Sequence, residues 1–296
     1  KIGKVLEKEP PFRLKQIKKA LFQDLIEGWD EISTLPKNLR EQLAKVCPKI
    51  NELEAEKTLS SKDNQSIKFL FKLKDGSKME SVLMRHGQTS SLQAGRITVC
   101  VSSQAGCSIG CKFCATGRQG FKRNLSSGEI VDQVLFFARM LKKNKESITN
   151  VVFMGMGEPF LNYDNVLEAI RILNDKDGFN LGARHISIST AGIVQGIERL
   201  GNEKLQVNLA VSLHAPNDEL RTELMPINKI YPIRKVLAAV NDYIKKTNRK
   251  VMFEYLMIDK VNDSEKEAKE LVRILRKPLY LLNLISFNPV GHSEFK

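Results

Sequence analysis

Cys107, Cys111 and Cys114 fall within one short stretch, Cys107-Ser-Ile-Gly-Cys-Lys-Phe-Cys-Ala-Thr-Gly117, and no second group of cysteines at a matching spacing accompanies them. Three thiols so placed admit three chemistries. A structural zinc site is normally closed by four ligands, typically from two separated pairs, and the second pair is missing. Unrelated reduced thiols would have to crowd one glycine-containing loop by chance. A cubane iron–sulfur cluster takes one thiolate per iron, so three cysteines would leave one iron open to a further ligand. The spacing favours this last reading. A total of five cysteines, an odd number with three in one loop, also argues against a secreted disulfide framework.

Such a loop needs a rigid support, and the pattern from Ile97 onward supplies one. Apolar or β-branched runs at 97–102, 148–154, 185–190, 206–213, 251–258 and 281–287 read as strands. Between them lie amphipathic helical patterns at 126–142, 163–174, 193–201, 232–247 and 264–276, the first opened by a Ser126/Glu129 capping box and the fourth by Pro232. Strands alternating with crossover helices predict a parallel sheet. The unusual residues then all follow strands. The cysteine loop follows the first, Gly155-Met-Gly-Glu-Pro159 the second, Ser189-Thr-Ala-Gly192 the third, Ser212-Leu-His-Ala-Pro216 the fourth and Asn288-Pro289 the sixth. Active sites of α/β barrels assemble at that rim, so the expected fold is α/β, a partial (β/α)6 barrel.

Ahead of the barrel, residues 1–57 read as a small helical domain. Residues 58–94 read as a linker and β-hairpin, with a polar break at 58–63 and strands at 67–73 and 80–84 around Asp75-Gly76. Residues 95–296 form the barrel core. The chain starts at Lys1 and stops just past an apolar run, so it reads as a piece of a longer protein whose C-terminal segment is missing. The longest apolar run, 279–287, is too short for a bilayer and contains Asn283 and Ser286, which predicts a cytoplasmic protein without a membrane segment. A formal net charge of +13 over 296 residues favours a polyanionic partner, nucleic acid foremost. A basic enzyme without such a partner is the plainer alternative.

The Cys-x-x-x-Cys-x-x-Cys spacing after the first barrel strand resembles that of radical S-adenosylmethionine enzymes. Cys100-Val-Ser-Ser-Gln-Ala-Gly-Cys107, Arg123-Asn-Leu125, Met154-Gly-Met-Gly-Glu-Pro159, Ser187-Ile-Ser-Thr-Ala-Gly192, Ser212-Leu-His-Ala-Pro-Asn-Asp218 and Met225-Pro-Ile-Asn228 together resemble the RlmN/Cfr family of RNA adenine methyltransferases. The RlmN branch is the nearer one. It implies methylation of adenine carbon-2 in 23S rRNA and certain tRNAs, with a [4Fe-4S] cluster on Cys107, Cys111 and Cys114 and two S-adenosylmethionine molecules per turnover. The Cfr branch, acting at carbon-8 and conferring antibiotic resistance, is the runner-up. A zinc-stabilised RNA-binding module without catalysis is the rival of another class.

Further roles come from the same resemblance. Gly157, Glu158, Ser189, Ser212, Leu213, His214 and Asn288 would contact S-adenosylmethionine, and Glu80 would remove the carbon-2 proton. Cys100 would attack a methyl-carrying cysteine near the C-terminus, closing a disulfide that releases the product. No cysteine follows Cys114, so that partner is absent from the sequence. The resemblance also implies an external, flavodoxin-type electron donor and a monomer. Phe113, between Cys111 and Cys114, shields the cluster, touches adenine or is core. Lys112, Arg118, Lys122 and Arg123 run without an intervening acid and would grip RNA phosphates beside the site. An adenine in folded RNA would have to be splayed out to reach a barrel mouth. Cys47, outside every motif, is expected to be structural.

Overall fold

The computed structural model describes residues 2–7, 9–87, 95–289 and 295; part of the expected linker, 88–94, lies outside them. From the amino end, helices α1 (Ile2–Leu6), α2 (Phe12–Phe22) and α3 (Lys37–Val46) precede strands β1 (Glu54–Ser60), β2 (Ser66–Lys72), β3 (Lys78–His86) and β4 (Arg96–Cys100). Strand β5 (Gln104–Gly106), helix α4 (Ala115–Gln119) and strand β6 (Phe121–Asn124) come next, then α5 (Ser127–Lys142), β7 (Asn150–Phe153) and α6 (Tyr163–Asn174). The remainder alternates through β8 (Ile186–Thr190), α7 (Val194–Leu200), β9 (Asn208–Ser212), α8 (Asp218–Leu224), α9 (Ile233–Thr247), β10 (Val251–Met257), α10 (Glu265–Ile274) and β11 (Tyr280–Ser286). The chain divides into one compact unit of residues 1–101, 126–151 and 167–185, and another of residues 102–125, 152–166 and 186–296.

In the first unit, the helical segment has its own small core. Ile17 and Ala20 of α2 meet Trp29, Leu35 and the α3 residues Leu39 and Leu43, and Trp29 Nε1 donates to Cys47 O at 2.6 Å. Phe12 is exposed, with the Arg13 guanidinium 4.8 Å above its ring. Strands β1 to β4 form an antiparallel meander. The expected break at 58–63 therefore begins inside a strand, because β1 runs from Glu54 to Ser60 and pairs with β2. Every residue of β1 is exposed, so no apolar alternation marks it. The meander packs on α5 through Phe69 and Phe71, whose rings meet Phe136 edge-on at 5.0 and 4.9 Å. Such pairs add about 0.5–1.5 kcal/mol beyond the area they bury.

Helix α5 starts where the capping box predicts. Ser126 Oγ accepts from Glu129 N at 3.2 Å, and Glu129 Oε2 accepts from Ser126 N at 2.9 Å, satisfying two of the N–H groups a helix start leaves open. Behind this cap sit Ile130, Val134, Phe137 and Leu141, all buried. Ser126→Ala is expected to lower stability by about 1 kcal/mol. A urea titration should show a reduced midpoint with an unchanged slope.

The second unit carries the parallel part of the fold. β8 pairs with β9, β9 with β10 and β10 with β11, each in parallel, with α7, α9 and α10 as crossovers. Helix α9 buries Ile233, Val236, Ala239, Val240 and Tyr243 along one face and stops at Asn248, whose φ of 52° takes the left-handed conformation that ends helices. Short connections from the carboxyl ends of these strands leave the site residues on one side of the sheet.

Candidate functional site

Cys107, Cys111 and Cys114 are held by a loop that closes on itself. Cys107 N donates to Gly120 O at 3.1 Å, and Cys114 N donates to Cys111 O at 3.1 Å. Gly106, with φ of 78°, makes the closure possible, because a Cβ there would lie 1.9 Å from Gly120 O. A third anchor comes from α8, where Leu224 O accepts from Lys112 N at 3.0 Å. All three cysteines are half-buried and line one cavity of about 290 Å³. Burial pushes the Cys107 thiol up to about 11, and Cys111 rises further for the same reason, with its neighbouring thiols adding to it. A bound metal ion would reverse that preference and displace the protons.

Among the described residues, no three His, Cys, Asp or Glu side chains converge closely enough to ligate a single ion. A closed zinc site is built from such convergence. A cubane spreads its thiolates over separate irons and asks for soft donors facing one space, which this loop supplies.

The wall opposite is the Gly155–Glu158 turn after β7. It is stitched to the residues that precede the cysteine loop: Ser103 N and Gln104 N both donate to Met156 O, and Met156 N donates to Ser102 Oγ at 2.8 Å. Gly157, at φ of 100°, lies so close to this segment that a Cβ would sit 2.5 Å from Gln104 Cβ. Glu158 is buried, and its two carboxylate oxygens accept from Phe160 N at 3.0 Å and Ala191 N at 2.6 Å. Burial raises its pKa to about 7 against the pull of these donors. The side chain is thus a clasp to the β8 turn as well as a wall of the cavity, a structural duty that its motif does not disclose.

His214 also lines the cavity, in the left-handed conformation at φ of 57°. Its Nδ1 accepts from Leu256 N at 3.0 Å, and burial, aided by the charge of Arg221, drives its pKa down to about 3. The ring is therefore neutral, and the accepting Nδ1 puts the remaining proton on Nε2. Phe113 meets it edge-on with centroids 5.0 Å apart and faces the same cavity, so it belongs to the site. Ser189 and Ser212 line the cavity as expected. Leu213 does not: its side chain is fully buried, and its N–H donates to Glu254 O at 3.0 Å. Asn288 is exposed beyond β11 and does not line the cavity, where Ile285 stands instead.

Two site residues escaped the sequence reading. Glu254 lines the cavity from inside β10, with Oε2 accepting from Asn283 at 2.7 Å and Oε1 buried without a hydrogen-bond partner among the described residues. Burial holds its pKa above the usual carboxylate range. An acid within the apolar run Val-Met-Phe-Glu-Tyr-Leu-Met was the available signal. Arg221, fully buried on α8, is the other.

Glu80 and Cys100 belong to the first unit. Glu80 is half-exposed on β3 and pairs with Lys68 Nζ at 3.2 Å. Cys100 ends β4, buried, in register with Val82. No disulfide joins the cysteines, so the disulfide bond implied by the resemblance is not a feature of this structure.

A three-thiol loop, a glycine turn with a buried acid and polar strand ends around one cavity define a radical S-adenosylmethionine protein, and the family model described as Radical SAM superfamily matches residues 101–272. "Probable dual-specificity RNA methyltransferase RlmN" of Symbiobacterium thermophilum is 46% identical, the match covering 96% of this chain and 74% of that protein. "Ribosomal RNA large subunit methyltransferase N" of Nitrosopumilus maritimus is 44% identical over 96% of this chain and 81% of its own length. The crystal structure of a radical SAM methyltransferase from Sphaerobacter thermophilus superposes with a TM-score of 0.91 at 45% identity, covering 97% of this chain and 82% of that one. The chain belongs to the RlmN family of radical SAM methyltransferases. Among the described residues no helix is long and apolar enough to cross a membrane.

Proposed function

We propose that this protein methylates carbon-2 of a specific adenosine in 23S rRNA and of adenosine in certain tRNAs. The observation that carries the reading is that three otherwise unligated thiols share one cavity with Glu158, Ser189, Ser212 and the neutral His214. The relatives' names supply the RNA substrate. Cys107, Cys111 and Cys114 would hold a [4Fe-4S] cluster, which when bound supplies the electron that cleaves S-adenosylmethionine. Carbon-2 of adenine is electron-poor and bears no acidic proton, so polar methyl transfer lacks a nucleophile there and a radical route does not need one.

The chain's own groups then divide the work. The Gly157 turn lets backbone approach the cofactor, and the buried Glu158 carboxylate offers its remaining lone pairs to the cofactor's ammonium. The Nε2–H of His214 and the hydroxyls of Ser189 and Ser212 are donors for the carboxylate, ribose or adenine. Glu80 takes the carbon-2 proton, and Cys100 resolves a methyl-cysteine intermediate through a transient disulfide, with two cofactor molecules consumed. Lys112, Arg118, Lys122 and Arg123 grip RNA phosphates, and the last residue set fits the net charge of +13. A low-potential, flavodoxin-type donor, a cytoplasmic monomer and the division at 1–57, 58–94 and 95–296 complete the proposal.

Mass spectrometry of nucleosides from a strain lacking its own 2-methyladenosine activity and expressing the full-length protein tests it. The expected product is 2-methyladenosine in both 23S rRNA and tRNA. Finding 8-methyladenosine, or no new adenosine, would overturn the assignment.

A further inference from the structure

Arg221 is fully buried, and all five of its N–H donors are used. Nε donates to Leu213 O at 3.1 Å, Nη1 to Asn228 Oδ1 at 2.8 Å and Tyr231 O at 3.2 Å, and Nη2 to Ala191 O at 2.7 Å and Ser212 O at 3.0 Å. Every acceptor is neutral. Among the described residues no carboxylate lies within ion-pair distance; Asp218 acts on it only through space, and its Oδ1 already accepts from Asn228 Nδ2 and Ile233 N. Hydrogen bonds to carbonyls satisfy a guanidinium's donors but do not neutralise its charge, and a buried cation without a counter-ion is costly.

Asp218 supplies one negative charge nearby, and the cysteine loop, once it holds a cluster, would supply another. Helix α8, which carries Arg221, is joined to that loop by Lys112 N donating to Leu224 O at 3.0 Å and by Lys112 Nζ facing Glu223 at 3.7 Å, and Met225 lines the cavity with the three cysteines. At neutral pH Arg221 stays charged, burial lowering it only to about 10. A cubane on three thiolates is net negative and gains a further negative charge on reduction.

We propose that Arg221 is the buried counter-charge of the three-cysteine centre: it ties together the carboxyl ends of β8 and β9 and favours the reduced cluster over the oxidised one. This rests on the cluster reading given above. The step it biases is the uptake of one electron by the oxidised cluster from a low-potential external donor, with no proton taken up at Arg221. It is a positioning and tuning residue. Three of these five hydrogen bonds fix Ala191, Ser212 and Leu213, whose turns carry Ser189, Ser212 and His214 into the cavity.

The test is a potentiometric titration of the anaerobically reconstituted full-length protein, reduced with titanium(III) citrate and followed by electron paramagnetic resonance. In Arg221→Gln, with iron content equal to wild type, the midpoint should move to a more negative potential. In Arg221→Lys it should stay near wild type while thermal stability falls, because the charge remains and the fivefold hydrogen bonding does not. A purely structural residue would lower stability in both variants and leave both midpoints where they were; that result overturns the proposal. Asp218→Asn provides a milder variant should Arg221→Gln not fold. It removes a negative charge from beside Arg221 and should move the midpoint the other way, and an unmoved midpoint there also overturns the proposal. Absence of iron from the wild-type protein would defeat the cluster reading itself, whereas an iron-loaded Arg221→Gln protein with an unchanged midpoint would defeat the role of Arg221 alone.

Discussion

Alanine in place of Cys111 is expected to strip the iron from the protein and abolish cleavage of S-adenosylmethionine, while alanine in place of Cys47 leaves both untouched. Anaerobic reconstitution of the wild-type chain should give about four irons and a broad visible absorption, as a cubane requires. Burial and both neighbouring cysteines raise the Cys111 thiol, and a bound cluster would hold it as the thiolate. Its backbone also carries the turn to Cys114, but alanine keeps that hydrogen bond, so a loss of iron reports the missing thiolate and not a collapsed loop. Cys47 sits beside the small helical core, with Sγ 3.3 Å from Lys49 O, and takes no part in the cavity. Cys100→Ala provides the third case. If Cys100 resolves an intermediate, its loss should retain about four irons and cofactor cleavage but stop release of methylated RNA. Stoichiometric zinc with no iron in the wild type would sink the entire series and restore the zinc module.

What could be read from the sequence was whatever has a period or a cap. Helix α5 begins at its Ser126 box, and α6 spans Tyr163–Asn174 as its apolar spacing predicts, because in both the buried face repeats at the helical interval. The parallel strands were legible as short apolar runs, as strands of parallel sheets are. Strand β1 was not: an edge strand exposed along its whole length has no inner face to impose alternation. Helix α8, seven residues long, gives too few turns to show a stripe. Arg221 illustrates a deeper limit. Within Asp-Glu-Leu-Arg-Thr-Glu-Leu it looks like one more charge on a solvated helix, and only the folded chain brings Ala191, Ser212 and Tyr231 carbonyls around it. The cysteines were legible from their type and spacing, whereas Gly157, Glu158 and His214 came with the motifs that carry the family resemblance. Leu213 and Asn288 came with their motifs but not into the cavity, since a motif transfers positions and not side-chain directions.

Gly157→Ala is expected to cause a large loss of stability at the cofactor cavity itself. The new methyl group would lie 2.5 Å from Gln104 Cβ and 2.8 Å from Gln104 N, and backbone at 2.8 Å cannot swing aside as a flexible side chain does. At φ of 100° the residue is also in a region that L side chains rarely adopt. Overpacking contributes about 1–3 kcal/mol and the backbone conformation about 1–3 kcal/mol more, so a loss of about 2–6 kcal/mol is expected in a denaturant titration. Gly128→Ala is the opposite control. That residue lies in the first turn of α5 with only Ser126 Oγ at 4.0 Å, so alanine there should raise stability by up to about 1 kcal/mol through helix propensity. The functional consequence of Gly157→Ala follows from what the turn holds. Gln104 Oε1 accepts from Glu158 N at 2.9 Å, and the Glu158 carboxylate in turn fixes Phe160 N and Ala191 N, so pushing Gln104 away misplaces the acid and the β8 turn together. A shift of about 1 Å in a positioning group costs about a hundredfold in rate. Equilibrium binding of S-adenosylmethionine to the iron-loaded variant, at a temperature where it remains folded, should weaken in step. Tight binding and normal turnover in a folded Gly157→Ala protein would show that the turn after β7 does not shape the cofactor site.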